Sequence, residues 1–187
     1  MTGGVGWMAA DDLNELVRLH CAYINYGYGV APRLKETLEN PENICLKYTA
    51  LGGAMAGLLI YVEGTVIFGS HHDILEKIRE IVGEDRSYSG EAVLVTEEYR
   101  HWGVSGLLYA RAKEELIRRG AKYVLHELWV TPDGEIPAIR VLDIFGERMD
   151  MGYYKDFYKG FDLFGYFCPI CGRNCVCSAQ VFLSRVE

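Results

Sequence analysis

The sequence reads as a single α/β domain in which strands and helices take turns along the chain. Three observations carry that expectation. Short runs rich in β-branched and aliphatic residues, at 44–51, 54–62 and 93–95, alternate with stretches whose apolar residues recur every three or four positions. Glycines stand at the joints, with Gly52 and Gly53 together between two strand-like runs. A chain of 187 residues, 50% of them hydrophobic, encloses one substantial core and is short for two.

From the N-terminus, Leu13, Leu16, Val17, Tyr23 and Ile24 share one face of a helix capped by Asp11 or Asp12, with Glu15 as a capping-box partner three residues after Asp12. Gly27 and Gly29 stop it. A short helix over 33–38 follows Pro32, whose fixed φ suits a first turn, and ends before Pro41. Residues 44–51 and 54–62 then form a hairpin. Ile74, Leu75, Ile78, Ile81 and Val82 mark an amphipathic helix capped near Ser70 and ended by Gly83, with His71 and His72 as surface or capping residues. A strand leading through Val93, Leu94 and Val95 precedes a helix over 107–119. That helix has Leu108, Ala112 and Leu116 inside and the pairs Glu114–Arg118 and Glu115–Arg119 on a solvated face. Residues 122–130 read as a strand ended by the turn 131–134, and 136–145 has helical spacing.

The most informative stretch is 93–108, where a buried strand runs into a glycine-bearing turn that opens a helix. The first N–H groups of a helix have no partner within it, and its dipole is positive there, so such a turn cradles phosphate. Gly103 lets the backbone approach an anion closely, Ser105 is small, Gly106 relaxes the first helical turn and Arg100 adds a fixed charge. Neither Gly-x-Gly-x-x-Gly nor Gly-Lys-Ser/Thr is present. Arg100-His101-Trp102-Gly103-Val104-Ser105, preceded by Val95-Thr-Glu-Glu-Tyr99, resembles the Arg/Gln-x-x-Gly-x-Gly/Ala signature of the GNAT superfamily of acyl-CoA-dependent N-acetyltransferases, with Ser105 in place of the usual Gly or Ala.

The resemblance implies a GNAT-like splayed mixed β-sheet flanked by helices. In it the strands at 93–96 and 123–130 run parallel and separate, and the gap admits the pantetheine arm of acetyl-CoA along Val93, Leu94 and Val95. The turn Arg100, His101, Trp102, Gly103, Val104, Ser105 and Gly106 would take the diphosphate, and an amine would be the second substrate. The helix at 74–82 is then an insertion, about 65–89, that covers the sheet's edge, shapes the substrate side, or only packs. Residues 161–167 and 176–186 look like the last two strands. Acetyl transfer needs a neutral amine, a polarised carbonyl and a proton for the departing thiolate. Backbone N–H near Val95 would polarise the carbonyl; Glu91 and Glu127, the latter with His126 beside it, are candidate bases. The family's acid is usually a tyrosine, for which Tyr154 is the first choice and Tyr158 the second.

Four of the six cysteines are Cys168, Cys171, Cys175 and Cys177, and Cys-Pro-x-Cys-Gly resembles a zinc knuckle. One structural zinc held by all four thiolates is the leading reading, in the loop of a C-terminal hairpin. A disulfide pair, an iron–sulfur cluster or a metal shared between subunits are the alternatives. Cys21 and Cys45 stand alone in apolar contexts and are expected to be buried.

A net charge of −7 without any lysine or arginine run argues against nucleic acid and anionic membranes, and tilts slightly toward cationic amines. No apolar stretch approaches the roughly 20 residues that cross a bilayer, and the N-terminus lacks the features of a signal peptide, so a cytoplasmic protein is expected. The resemblance weakly suggests a homodimer. The rival readings are a non-catalytic acyl-CoA-binding or metal-sensing module and a cysteine-based redox protein.

Overall fold

A computed structural model describes residues 3–69, 71, 73–131 and 133–187. Seven strands form one open sheet in the order β1-β2-β3-β4-β5-β7-β6. They are β1 (Gly4–Trp7), β2 (Ile44–Thr49), β3 (Met55–Glu63), β4 (Ser87–Val95), β5 (Tyr123–Val130), β6 (Arg148–Tyr154) and β7 (Ser178–Arg185), with helices α1 (Leu13–Tyr23), α2 (Val30–Glu39), α3 (Asp73–Val82) and α4 (Val104–Arg118). Every neighbouring pair is antiparallel except β4 and β5.

That parallel pair positions the site. Its ladder consists of Ser87↔Tyr123, Tyr88↔Val124 and Ser89↔Leu125. Beyond it β4 continues to Val95 and β5 to Val130 without pairing, so the strands splay. On β4 the separation begins at an irregularity: Ile60 faces Ala92 while Tyr61 faces Gly90, leaving Glu91 as the extra residue of a bulge.

Side chains alternate between the faces of a strand, so each strand feeds two cores. On one face α4 buries Leu108, Ala112 and Leu116 against Ile44, Leu59 and Val124. Gly57 permits its approach, since a Cβ there would meet Val104 Cγ1 at 3.0 Å. The other face carries two separate patches. Leu16, Leu19, Val30 and Leu34 of α1 and α2 cover Leu58, Ile60 and Leu94, while Ile74, Ile78 and Val82 of α3 cover Leu125, Val181 and Leu183.

Several local expectations are corrected. Asp12 accepts from the Ala9 N–H (2.8 Å) and pairs with Lys47, whereas Glu15 pairs with Arg18, so the capping box does not form. Strand β1 escaped the sequence reading because Gly3, Gly4 and Gly6 carry little strand propensity. Residues 136–145 form only a 3₁₀ helix, Ile139–Phe145. The strand before β7 is β6 rather than 161–167, which contains the 3₁₀ turn Phe161–Phe164 between Gly160 and Gly165, both at positive φ. On α4, Glu115 pairs with both Arg118 and Arg119 and is only 3% exposed, while Glu114 pairs with Arg111. Cys45 is buried and Cys21 half-buried. Helix α3 stands where the insertion was expected; the Ser70 cap and His72 lie outside the described residues. His71 donates to the Lys155 carbonyl and stacks on Phe157, tying the start of α3 to the chain after β6. Among the described residues no helix is long and apolar enough to cross a membrane.

Candidate active site

Where β4 and β5 part, a cavity of about 500 Å³ opens between the two core patches of that face. Gly90, Glu91, Ala92 and Val93 form one wall and Glu127, Leu128 and Trp129 the other. It is closed by the end of α1 and the loop after it, Arg33 of α2, the segment around Phe68 between β3 and α3, Pro137 and Ala138 after β5, and the long connection between β6 and β7.

Glu127 projects into the cavity from β5. Alternation turns it toward the cavity, and one carboxylate oxygen, Oε1, accepts from the Phe68 N–H at 2.8 Å. The other, Oε2, is buried without a hydrogen-bond partner among the described residues. Burial pushes its pKa up to about 8, against the opposing pull of the Phe68 and Gly69 N–H groups and the Arg33 charge. His126 is not its companion. It points to the opposite face among Tyr61, Tyr109 and Phe145, where burial pulls its pKa down to about 3.

Glu91, the bulge residue, is already engaged. Its side chain is 1% exposed, pairs with Arg33 at 2.9 Å and accepts from the Thr37 hydroxyl at 3.3 Å. Burial raises its pKa although Arg33 opposes this. Arg33 lies in turn against the rings of Phe68 and Tyr166, at 4.6 and 5.5 Å. Nothing local in the sequence marks Arg33 or Phe68 as site residues; tertiary packing brings them there. His20 also lines the cavity. It donates from Nδ1 to the Asn25 carbonyl (3.2 Å), and burial lowers its pKa to about 4, so the ring is neutral at neutral pH.

Tyr154 does not reach this cavity. It lies on β6, two strands from β5, where its hydroxyl donates to the Met151 carbonyl at 2.9 Å and its ring packs on His71 and Phe157. Tyr158, four residues later, does line it.

Past Val93 and Val95 the chain makes the 3₁₀ turn Glu97–Tyr99 and enters α4 through Gly103, whose φ of +78° is the left-handed conformation that favours glycine. Arg100 and Trp102 are exposed, and His101 also has positive φ. A Cβ on Gly106 would meet nothing within 4 Å, so protein packing does not explain a residue that weakens the first turn of a helix. The turn leaves room above the first N–H groups of α4.

Cys168, Cys171, Cys175 and Cys177 converge at the cavity's edge, with all four Sγ atoms within 4.8 Å of one another. Cys168, Cys175 and Cys177 belong to the cavity lining.

No protein-family model matches the sequence, and no curated protein matches it. Solved structures do match the fold. The ribosomal-protein-S18-alanine N-acetyltransferase of Escherichia coli superposes with a TM-score of 0.65 at 14% identity, covering 99% of this chain and 94% of its own. NAA60 of Arabidopsis thaliana, solved in complex with acetyl-CoA, gives 0.71 at 13% identity over 99% of both chains. Ard1 from Thermoplasma volcanium gives 0.65 at 13% identity over 100% and 99%. The chain thus has the GNAT fold, with its open mixed sheet and flanking helices.

Proposed function

We propose that this chain is an N-acetyltransferase that passes the acetyl group of acetyl-CoA directly to an amine. The observation that carries the reading is the buried Glu127 carboxylate, one oxygen of which has no partner among the described residues, in a cavity at the splay of β4 and β5. The room over Gly103 and Gly106 suits a diphosphate on the N–H groups of Val104, Ser105 and Gly106, with Arg100 beside it. The unpaired edge of β4 at Val93, Leu94 and Val95 suits an extended pantetheine arm taken up as an added strand.

The thioester is already activated, so the protein's part is positioning and proton transfer. An ammonium entering the cavity gives its proton to Glu127, whose raised pKa brings it near that of a base working around neutral pH. The neutral amine attacks the acetyl carbon, and backbone N–H near Val95, on the edge of β4 beyond its ladder with β5, stabilises the oxyanion. The C–S bond then breaks as the nitrogen gives up its second proton; Tyr158, in the cavity wall, donates its hydroxyl proton to the thiolate and takes the nitrogen's proton in exchange, and Glu127 releases its proton to solvent. Glu91 stays paired with Arg33 and shapes the acceptor end. This reassigns the acid from Tyr154, which the fold holds elsewhere.

Native mass spectrometry with acetyl-CoA, followed by mass-detected acetylation of a panel of small amines and peptide N-termini, tests the reading. Binding with transfer supports it, and binding without transfer to any of them points to a sensing module. No binding at roughly millimolar ligand overturns it.

A further inference from the structure

We propose that Cys168, Cys171, Cys175 and Cys177 bind one zinc ion, and that this ion holds the loop forming the acceptor wall of the cavity. The acceptor assignment rests on the acetyltransferase reading; the metal site does not.

The geometry points to a single tetrahedral ion. With Zn–S near 2.3 Å, the edge of a tetrathiolate tetrahedron is about 3.8 Å. Here Cys168 and Cys177 Sγ are 3.8 Å apart and Cys171 and Cys177 Sγ 3.4 Å, with none of the four beyond 4.8 Å from another. An iron–sulfur cluster spreads its thiolates over several irons and so further apart, whereas one ion draws all four to one centre. A disulfide would use only two of the four sulfurs that meet here within 4.8 Å of one another. Zinc precedes a lone iron(II) in the affinity order for such a site.

Hydrogen-bond donors meet three of the four sulfurs. The Ile170 and Cys171 N–H groups both point at Cys168 Sγ at 3.4 Å, within a turn closed by reciprocal bonds between Cys168 and Gly172. Cys171 receives the Val176 N–H, and Cys177 the indole N–H of Trp129 from β5. No histidine or carboxylate joins the group among the described residues, so four ligands close the coordination sphere and leave no position for water.

Location gives the site its purpose. Residues 155–177 connect β6 to β7 with only the short 3₁₀ helix Phe161–Phe164, yet they supply Tyr158, Phe161, Tyr166 and Phe167 to the cavity. Ordering such an irregular stretch costs about 1–2 kcal/mol per residue; Phe157 at its start is fully buried, but Leu163, Phe164 and Ile170 further on are exposed and offset little of it. It is held to the rest of the molecule by the pair of bonds between Tyr26 and Phe167, 2.9 and 2.7 Å, by the Gly29 N–H on the Gly165 carbonyl at 3.3 Å, and at its start by Phe157 in the core and His71 on the Lys155 carbonyl. A metal held by Cys168 to Cys177, with Trp129 of β5 beside Cys177, fixes the stretch between Phe167 and the start of β7, where core contacts among the described residues are fewest. The zinc therefore organises the amine side, whereas the acetyl-CoA side rests on β4 and α4.

The test uses the full chain purified under reducing conditions. Elemental analysis is expected to find near one zinc per chain, and exchange with cobalt(II) to give the thiolate charge-transfer and d–d bands of a tetrahedral tetrathiolate. Removing the metal with a thiol-reactive chelator should raise amide exchange in 158–177 and 26–29 by roughly tenfold or more. Residues 90–106 and the acetyl-CoA affinity should stay within about twofold. Metal-free protein as isolated, iron as the only metal, a six-coordinate cobalt spectrum, or unchanged exchange in 158–177 would each overturn the proposal. Failure to bind acetyl-CoA while zinc and its effect on the loop are present would overturn the acetyltransferase reading alone.

Discussion

Replacing Glu127 by glutamine separates the stability of this protein from its activity. The carboxyl ionises near 4.5 in an unfolded chain and near 8 here, because burial disfavours its charge. Between those values the folded state binds a proton that the unfolded state has lost. The neutral carboxyl's contribution is therefore whole below 4.5 and is lost as pH rises through 8. At about 1.4 kcal/mol per tenfold in the protonation equilibrium, that interval caps the loss at about 5 kcal/mol. Water entering the cavity and relaxation around Arg33 should reduce it to roughly 2–3 kcal/mol. The substituted amide keeps an acceptor for the Phe68 N–H and never ionises. Denaturant unfolding followed by circular dichroism from pH 5 to 9 should show Glu127→Gln matching the wild type at the acid end and exceeding it at the alkaline end. The same variant should lose about 10²–10⁴-fold in turnover, and the wild-type rate should rise toward pH 8. Stability curves that run parallel across this range would refute the buried-carboxyl argument, and unchanged turnover would refute the base.

Three further outcomes follow from the site and its surroundings. The double variant Arg100→Ala, Gly103→Asp should weaken acetyl-CoA at least about tenfold in calorimetry with an unchanged circular dichroism spectrum, because it removes a cation and places an anion at the helix start. Arg33→Ala should destabilise by about 3–5 kcal/mol at neutral pH by leaving the Glu91 carboxylate buried and unpaired, and Glu91→Gln in the same chain should restore most of that loss in thermal unfolding. His126→Phe should flatten the acid limb of the stability curve: the neutral imidazole's contribution is complete above 6.5 and fades as pH falls toward about 3, and phenylalanine suits a site where Nε2 has no partner.

What could be read from the sequence was what is local. The turn from Val95 to Gly106 is legible because a phosphate cradle needs small residues and a helix start within a few positions of one another. Helices α1 and α4 declare themselves by spacing. The aromatic segment 161–167 imitates a strand, but Gly160 and Gly165 at positive φ bend it, and its rings serve the cavity rather than a ladder. Strand β6 is obscured because Gly152 sits at a bulge on an edge strand. Tyr154 and Tyr158 carry the same side chain four residues apart, and only the path of the chain after β6 decides which one meets the cavity. Alternation along β5 does imply that His126 and Glu127 face opposite ways, a signal present in the sequence but passed over.

The insertion shows why a packing role and a functional one need not compete. Helix α3 buries Ile74, Ile78 and Val82 against β5 and β7, which places it in the core. The chain that leads to it also carries Phe68 and Gly69 past the cavity, where the Phe68 N–H holds Oε1 of Glu127 and both N–H groups pull against the burial that raises its pKa. Cutting residues 65–86 to a tight turn would therefore expose Leu125, Val181 and Leu183 and release the Glu127 carboxylate at once. Point changes separate the two effects: Ile78→Ala should cost about 2–5 kcal/mol of stability with the pH dependence of turnover intact. Moving the Phe68 backbone, by contrast, should shift the apparent pKa of turnover with a smaller change in stability. If Ile78→Ala moved the pH profile as far as a change at Phe68, the helix and the base would be one cooperative unit, and the site would have to be described as part of the core rather than as an opening within it.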